Sequence, residues 1–173
     1  ADVGIAVGLK TGSELRERIN EVLATITDEV RDNLMLDMIK LSAGEKLTSY
    51  SLVSETPATT NGVLKVAMEC AYEPYNWTET SDFSAGAVTI ENDAGANLYA
   101  NGYDVRIAQY IADKLGMKLE IYRYDWDSLI PAVQSGTVDA IIAGMSPTAE
   151  REEQIDFTNV YYSSTLVVIY KKK

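Results

Sequence analysis

Ala143-Gly144-Met145-Ser146-Pro147-Thr148-Ala149-Glu150-Arg151, with Gln154-Ile155-Asp156-Phe157-Thr158 close behind, places the parts of an anion-binding site where a buried strand is expected to end. Residues 138–143 form a short apolar run that predicts a strand, and Gly144 permits close backbone approach at its end. Ser146, Pro147 and Thr148 then predict a helix start with free N–H groups, where an anion is favoured. Arg151 adds a planar, two-pronged donor suited to a carboxylate.

Working outward, helix and strand signals alternate. Upstream, Asp127 and Ser128 predict the cap of a short helix that runs to Gln134 and stops at Gly136. Residues 118–122 read as a strand, and before them residues 104–115 carry Val105, Ala108, Ile111, Ala112 and Leu115 at helical spacing, with Gly116 as a stop. Residues 64–68 predict another strand. Between it and that helix lies an irregular acidic and aromatic stretch, 69–102, expected to form a long loop or a hairpin excursion around residues 87–90 and 97–99. Residues 165–170 predict a last strand. This βαβαβ order argues an α/β fold with a mostly parallel sheet, helices on both faces, and a ligand site beyond the carboxyl ends of the strands.

The N-terminal part adds a strand at residues 3–8. Thr11-Gly12-Ser13-Glu14 has the spacing of a capping box, followed by Leu15, Ile19, Val22, Leu23 and Ile26 on one helical face. A second helix is expected from Thr27 or Asp28, with Val30, Leu34, Met38 and Leu41 inward and Gly44 as its stop. Residues 45–61 are rich in Ser, Thr, Glu and Pro and read as a linker. The expected organisation is one α/β lobe built from residues 1–44 and 62–173.

Composition narrows the function. A net charge of −11 opposes a general nucleic-acid role, since the only basic run is Lys171, Lys172 and Lys173. With no His and a single Cys, the chain has no internal disulfide, no convincing zinc ligand set and no His-based triad, and no cofactor is implied. Cys70 reads as a small buried hydrophobe. No apolar run approaches the roughly 20 residues of a membrane span, and residues 1–8 lack the basic start of a secretory signal, as expected of a mature or trimmed chain.

Residues 64–170 closely resemble the first lobe of the periplasmic amino-acid-binding proteins (type II, family 3) that serve ABC importers. The resemblance rests on residues 64–69 leading to Tyr72-Glu73-Pro74-Tyr75, on Gly102-Tyr103-Asp104-Val105, on residues 125–132, on residues 136–140, and on the opening run as the carboxylate-binding segment. Residues 3–41 look like the same family's C-terminal end, a return strand before two helices, so the order is rotated. The resemblance therefore implies lobe 1 in circularly permuted order, with flavodoxin-like topology and without lobe 2. Either an engineered single lobe or the junction of tandem binding domains fits that order.

The resemblance also implies roles. Arg151 and Ser146 would hold the carboxylate of a free amino acid, the Gly144 carbonyl would accept from its ammonium, and Met145 would lie in the same segment. Tyr72 and Trp126 would flank the ligand side chain, and Glu69 would receive an amide or cationic group. A polar or basic L-amino acid is expected, bound weakly by this lobe alone. The parent would be periplasmic or extracellular, membrane-tethered, and partnered by an ABC permease. Simpler readings stand beside these: Arg151 as a surface residue paired with Glu150 or Glu152, Tyr72 and Trp126 as rim aromatics, Glu69 as a solvated carboxylate, Asp104 as a turn or cap residue, and Tyr161 and Tyr162 as structural. The excursion over residues 78–101 is long enough to cover or extend the site. Asn76-Trp77-Thr78 fits a glycosylation sequon but is discounted. A dehydratase-like enzyme on the same fold and a self-associating module that pairs or swaps strands as a homodimer are the alternative functions.

Overall fold

The structure, a computed structural model, describes residues 2–49, 51–53, 57–80 and 84–165. Its elements in chain order are β1 (Asp2–Leu9), α1 (Leu15–Leu23), α2 (Asp28–Ser42), β2 (Val63–Met68), β3 (Ala71–Tyr72), β4 (Asn76–Glu79) and β5 (Val88–Thr89). A 3-10 segment (Glu91–Ala96), β6 (Tyr99–Asn101), α3 (Tyr103–Leu115), β7 (Lys118–Arg123), α4 (Trp126–Gln134), β8 (Ala140–Ile141), α5 (Ala149–Glu152) and β9 (Asp156–Thr165) follow.

The main sheet has the order β7-β2-β8-β1-β9. β2 pairs in parallel with β7 and β8, and β1 pairs antiparallel with β8 and β9, so four of the five strands share one direction. The chain steps from β2 out to β7 through α3 and then back past β2 to β8 through α4. Right-handed crossovers in opposite senses put those two helices on opposite faces. α1 and α2 pack with α3 on its face, burying Ile19, Val22, Leu23, Leu34, Met35 and Met38. Residues 2–42 therefore complete the sheet and core of residues 63–165. β1 is the interior strand that joins β8 to β9.

Several local signals act as the sequence suggests. Thr27 caps α2 by accepting the Val30 N–H at 3.3 Å, and Gly116 ends α3 in the left-handed conformation. Others are displaced by tertiary partners. Thr11 forms no capping box: Gly12 turns with φ +78° and donates its N–H to the Asp156 carboxylate at 2.9 Å, so α1 starts only at Leu15. The residue at the cap of α4 is Asp125, not Asp127 or Ser128, and its side chain makes no cap bond.

The expected strand at 138–143 shortens to Ala140–Ile141, where β1 and β2 both pair with it. On either side, Asp139 and Ile142 bond β2 alone, through the carbonyls of Lys65 and Ala67. The last strand begins at Asp156, well before the expected residue 165, because Phe157 to Thr165 run along β1; residues 166–170 of that expectation lie outside the described residues.

The linker is docked. Ser51 donates through its N–H and hydroxyl to Asp37 at 2.8 and 2.6 Å, and Asn61 holds the Leu115 carbonyl at the end of α3.

The excursion after β2 forms a second, antiparallel sheet in the order β3-β4-β6-β5. Its far end lies along β7. Ile90 bridges Ile121, Asn92 exchanges two hydrogen bonds with the Arg123 backbone, and Arg123 pairs with Asp93 at 2.8 Å. The excursion thus covers an exposed sheet edge, a place that otherwise invites pairing with other chains.

One side chain ties the N-terminal helices to the sheet. The Arg31 guanidinium donates to the carbonyls of Leu23 and Ile26 at the end of α1 and to Val160 in β9, at 2.8, 3.2 and 3.1 Å. Arg31→Ala removes a charged donor from three carbonyls and should lower stability by about 2 kcal/mol in urea unfolding, with Arg31→Lys recovering only part of the loss.

Candidate functional site

The site lies where β2, β7 and β8 end at their carboxyl termini. β8 passes through Ile142 and Ala143 into Gly144, whose φ of +59° turns the chain away from the sheet. A side chain there would strike Tyr72: a Cβ on Gly144 would lie 2.9 Å from Tyr72 Cε1 and 3.4 Å from Tyr75 Cγ. The glycine therefore lets two rings close over the strand end. Tyr72 and Tyr75 pack at 4.9 Å between centroids, and Tyr75 continues to Tyr162 at 6.4 Å. Tyr72 is 43% exposed, so one edge of this aromatic row faces outward.

On the other side of Gly144, Met145 is buried and its carbonyl accepts the Ala6 N–H at 3.0 Å, which fixes the segment to β1. α5 is a single turn, shorter than a helix expected to offer several free N–H groups. Thr148 caps it by accepting the Arg151 N–H at 3.2 Å. The Arg151 side chain then folds back: Nη1 donates to the Ser146 carbonyl at 2.8 Å, and the guanidinium carbon lies 5.5 Å from the centre of the Trp126 ring. No ion pair joins Arg151 to Glu150 or Glu152 among the described residues. Trp126, Ile130, Met145, Thr148 and Arg151 line an open groove of about 610 Å³ between α4 and α5.

Beneath the site is a group that sequence reasoning treated as a turn or cap. Asp104, at the start of α3, is fully buried. Its carboxylate accepts from the Tyr161 hydroxyl and from Asn76 Nδ2 at 2.9 Å. The Asn76 carbonyl oxygen in turn accepts the Cys70 N–H at 2.7 Å. Cys70 sits in the left-handed region with φ 59° and directly follows Glu69, which is half-buried at the end of β2. The backbone of α3 completes the set: Tyr103 and Asp104 donate to the carbonyls of Pro74 and Tyr75 at 3.1 and 2.8 Å. Gly102 is required at that junction, because a Cβ would lie 2.4 Å from the Tyr75 carbonyl oxygen.

The structure thus brings Tyr72, Gly144, Met145, Ser146, Trp126 and Arg151 together around one strand end and links Glu69 to it through Asn76 and Asp104. Tyr75, Asn76 and Asp104 were missed as parts of the site, although two of the motifs already quoted contain Tyr75 and Asp104. Asn76 is fully buried with both ends of its amide bonded, so the sequon it heads is closed to modification. Tyr161 is structural, as expected. The Cys70 thiol is pushed up to about 12 by burial and is inert as a nucleophile at neutral pH. The far end of the excursion lies along β7, while at its start Thr78 Oγ1 donates to the Cys70 carbonyl at 2.8 Å.

The profile of the bacterial extracellular solute-binding proteins, family 3, matches residues 64–173. The chain belongs to this family. It is 39% identical over 89 residues to the arginine-binding extracellular protein ArtP of Bacillus subtilis, covering 51% of this chain and 34% of that protein. Similarity to ABC transporter arginine-binding protein 1 of Escherichia coli is 37% over 78 residues, covering 45% and 32%. A solved structure of an ancestral arginine-binding protein bound to glutamine is 38% identical, covers 58% of this chain and 38% of its own, and superposes with a TM-score of 0.45. The chain spans about a third of the length of the curated relatives it matches. Among the described residues no helix is long and apolar enough to cross a membrane.

Burial without a cationic partner raises the Asp104 carboxyl to about 7, the Tyr161 and Asn76 hydrogen bonds opposing that rise. The folded state therefore binds this proton more tightly than the unfolded chain. Asp104's contribution to stability should be fully present below pH about 4 and be lost as pH rises to about 7, above which it levels off. Carbon-13 NMR of the Asp104 carboxyl should show a titration near pH 7, and folding should take up this proton between those limits.

Proposed function

We propose that this chain is the ligand-binding lobe of an ABC-importer receptor for a polar or basic L-amino acid. The observation that carries the reading is the Arg151 guanidinium, held over Trp126 at the mouth of the groove and oriented by its bond to the Ser146 carbonyl. Its Nε and Nη2 donors have no partner among the described residues, and a carboxylate seeks such a fork.

In this reading Arg151 and Ser146 hold the α-carboxylate and the Gly144 carbonyl accepts from the ammonium. Tyr72 and Trp126 flank the side chain. A net charge of −11 and Glu69 beside the site favour a cationic ligand over an anionic one. The relatives' names, for arginine and histidine, agree with that preference. Residues 2–42, which lie outside the family match yet supply an interior strand of its sheet, support a rotated order in which they stand for the family's C-terminal strand and helices. The full receptor would work outside the cytoplasmic membrane with a permease. A lobe that contacts the ligand from one side, with the groove open to water, should bind on the order of millimolar or weaker.

Calorimetric or NMR titration with the twenty amino acids should find saturable binding of a basic or polar amino acid, and Arg151→Ala should weaken it by about tenfold or more. Binding unchanged by the substitution contradicts the assigned clamp. Measurable elimination from a cyclic dienyl acid would favour the dehydratase alternative instead.

A further inference from the structure

Glu69 stands at the carboxyl end of β2, directly after Met68, whose carbonyl accepts the Tyr124 N–H at 3.1 Å. It is half-buried and joins no ion pair among the described residues. A little further along the same turn, the ring of Tyr72 lies against Gly144. The carboxylate is thus carried by the turn that brings an aromatic ring to the strand end.

The direction of that turn is decided at Cys70. Its φ of 59° is a left-handed conformation that a residue with a side chain adopts at a cost, and it persists only where the surroundings impose it. Here β4 holds Cys70 on both sides. Asn76 Oδ1 accepts the Cys70 N–H at 2.7 Å, and Thr78 Oγ1 donates to the Cys70 carbonyl at 2.8 Å. The first bond acts on the peptide that joins Glu69 to Cys70, so it sets the rotation of the backbone at Glu69. Strand pairing does not supply either bond, because the β3–β4 ladder begins only where Ala71 faces Trp77.

The Asn76 amide is held one way round. Its Nδ2 donates to Asp104 Oδ2 at 2.9 Å, which leaves the oxygen as the end turned to Cys70. Neither Asn76 nor Asp104 has any exposed surface. Asn76 is therefore out of reach of a ligand in the groove and acts on the site through backbone alone.

Resting on the function proposed above, we propose that Asn76 and Thr78 are positioning residues for charge selectivity: by clasping the backbone of Cys70 they place the Glu69 carboxylate against the cationic end of the ligand side chain. The α-carboxylate is met elsewhere, by Arg151 on α5. Loss of the clasp should therefore weaken recognition of the side-chain charge and spare recognition of the amino-acid backbone.

The test compares L-arginine with L-citrulline, which keeps the length, the α-carboxylate and the α-ammonium but carries a neutral ureido group in place of the guanidinium. Both are followed by amide NMR titration of the wild-type chain, Asn76→Ala, Thr78→Val, Thr78→Ser and Glu69→Gln. The wild-type chain should prefer arginine by about tenfold, and Glu69→Gln should abolish the preference. Asn76→Ala and Thr78→Val should each lower the preference by about threefold through loss of arginine affinity, with citrulline changed by less than about twofold. Thr78→Ser keeps the hydroxyl and should keep the preference. Thr78→Val, at a partly buried strand position, carries the test even if Asn76→Ala does not fold. In the Glu69→Gln background Thr78→Val should change neither affinity, since the group it positions is gone.

Equal losses for the two ligands, a preference that Thr78→Val leaves intact, or one that Thr78→Ser lowers as far as Thr78→Val, overturn the positioning role and leave the binding function standing. A wild-type chain that binds arginine and citrulline equally overturns it as well. A wild-type chain that binds neither ligand overturns both readings.

Discussion

The burial of one carboxylate, Asp104, is the constraint on which the site depends. An ionisable group without a cationic partner survives in a protein interior only if donors converge on it, and here they come from β4 and β9. The need to satisfy Asp104 therefore couples the start of α3 to both sheets. The N-terminus of α3 adds two backbone bonds to the Tyr72–Tyr75 turn, and Gly102 lets the helix approach closely enough to make them. Losing any one of these partners would leave a buried polar group unmet, which is why the arrangement is held as a unit.

From that anchor the chemistry of the surface follows. Gly144 turns in the left-handed region beneath Tyr72 and Tyr75, and the segment 145–151 leaves the sheet from there. Met145 bonds to β1 and Thr148 starts a single helical turn that carries Arg151 back over the Ser146 carbonyl and the Trp126 ring. A guanidinium held this way loses less rotamer freedom when an anion arrives. The same geometry explains why a lone lobe should bind weakly. Its donors are already oriented, yet water competes for them from the open side of the groove. The second sheet plays a different part, since its far end closes the β7 edge, where Asn92 and Asp93 fasten it to Arg123.

Much of this was legible in the sequence, and the exceptions share a cause. Local signals sufficed where local partners decide: Thr27 caps α2, Gly116 stops α3, and the helical spacing of Ile19, Val22 and Leu23 marks their buried face. The clustering of Trp126, Gly144, Ser146 and Arg151 was also readable, because motif and topology both point to the carboxyl ends of the strands. The capping box at Thr11 failed because Asp156, far along the chain, takes the Gly12 N–H. β9 was placed too late because Thr158, Asn159, Ser163 and Ser164 dilute its apolar pattern, while its pairing with β1 is not a sequence-local property. Asp104 looked like a helix-start residue, and it is one. Its burial depends on Asn76 and Tyr161, which no local window contains.

The central claim, that a carboxylate clamp is assembled on one strand end, is tested most directly by mapping where an amino acid lands. In a two-dimensional amide NMR titration with L-arginine, the account predicts that the largest shifts fall on residues 144–151, on the Trp126 indole N–H and on Tyr72, with smaller shifts carried to Cys70 and Asn76. Shifts confined to other surfaces, such as the acidic turn around Asp28 and Asp32, or shifts that leave Gly144 and Arg151 unmoved at saturation, would contradict it.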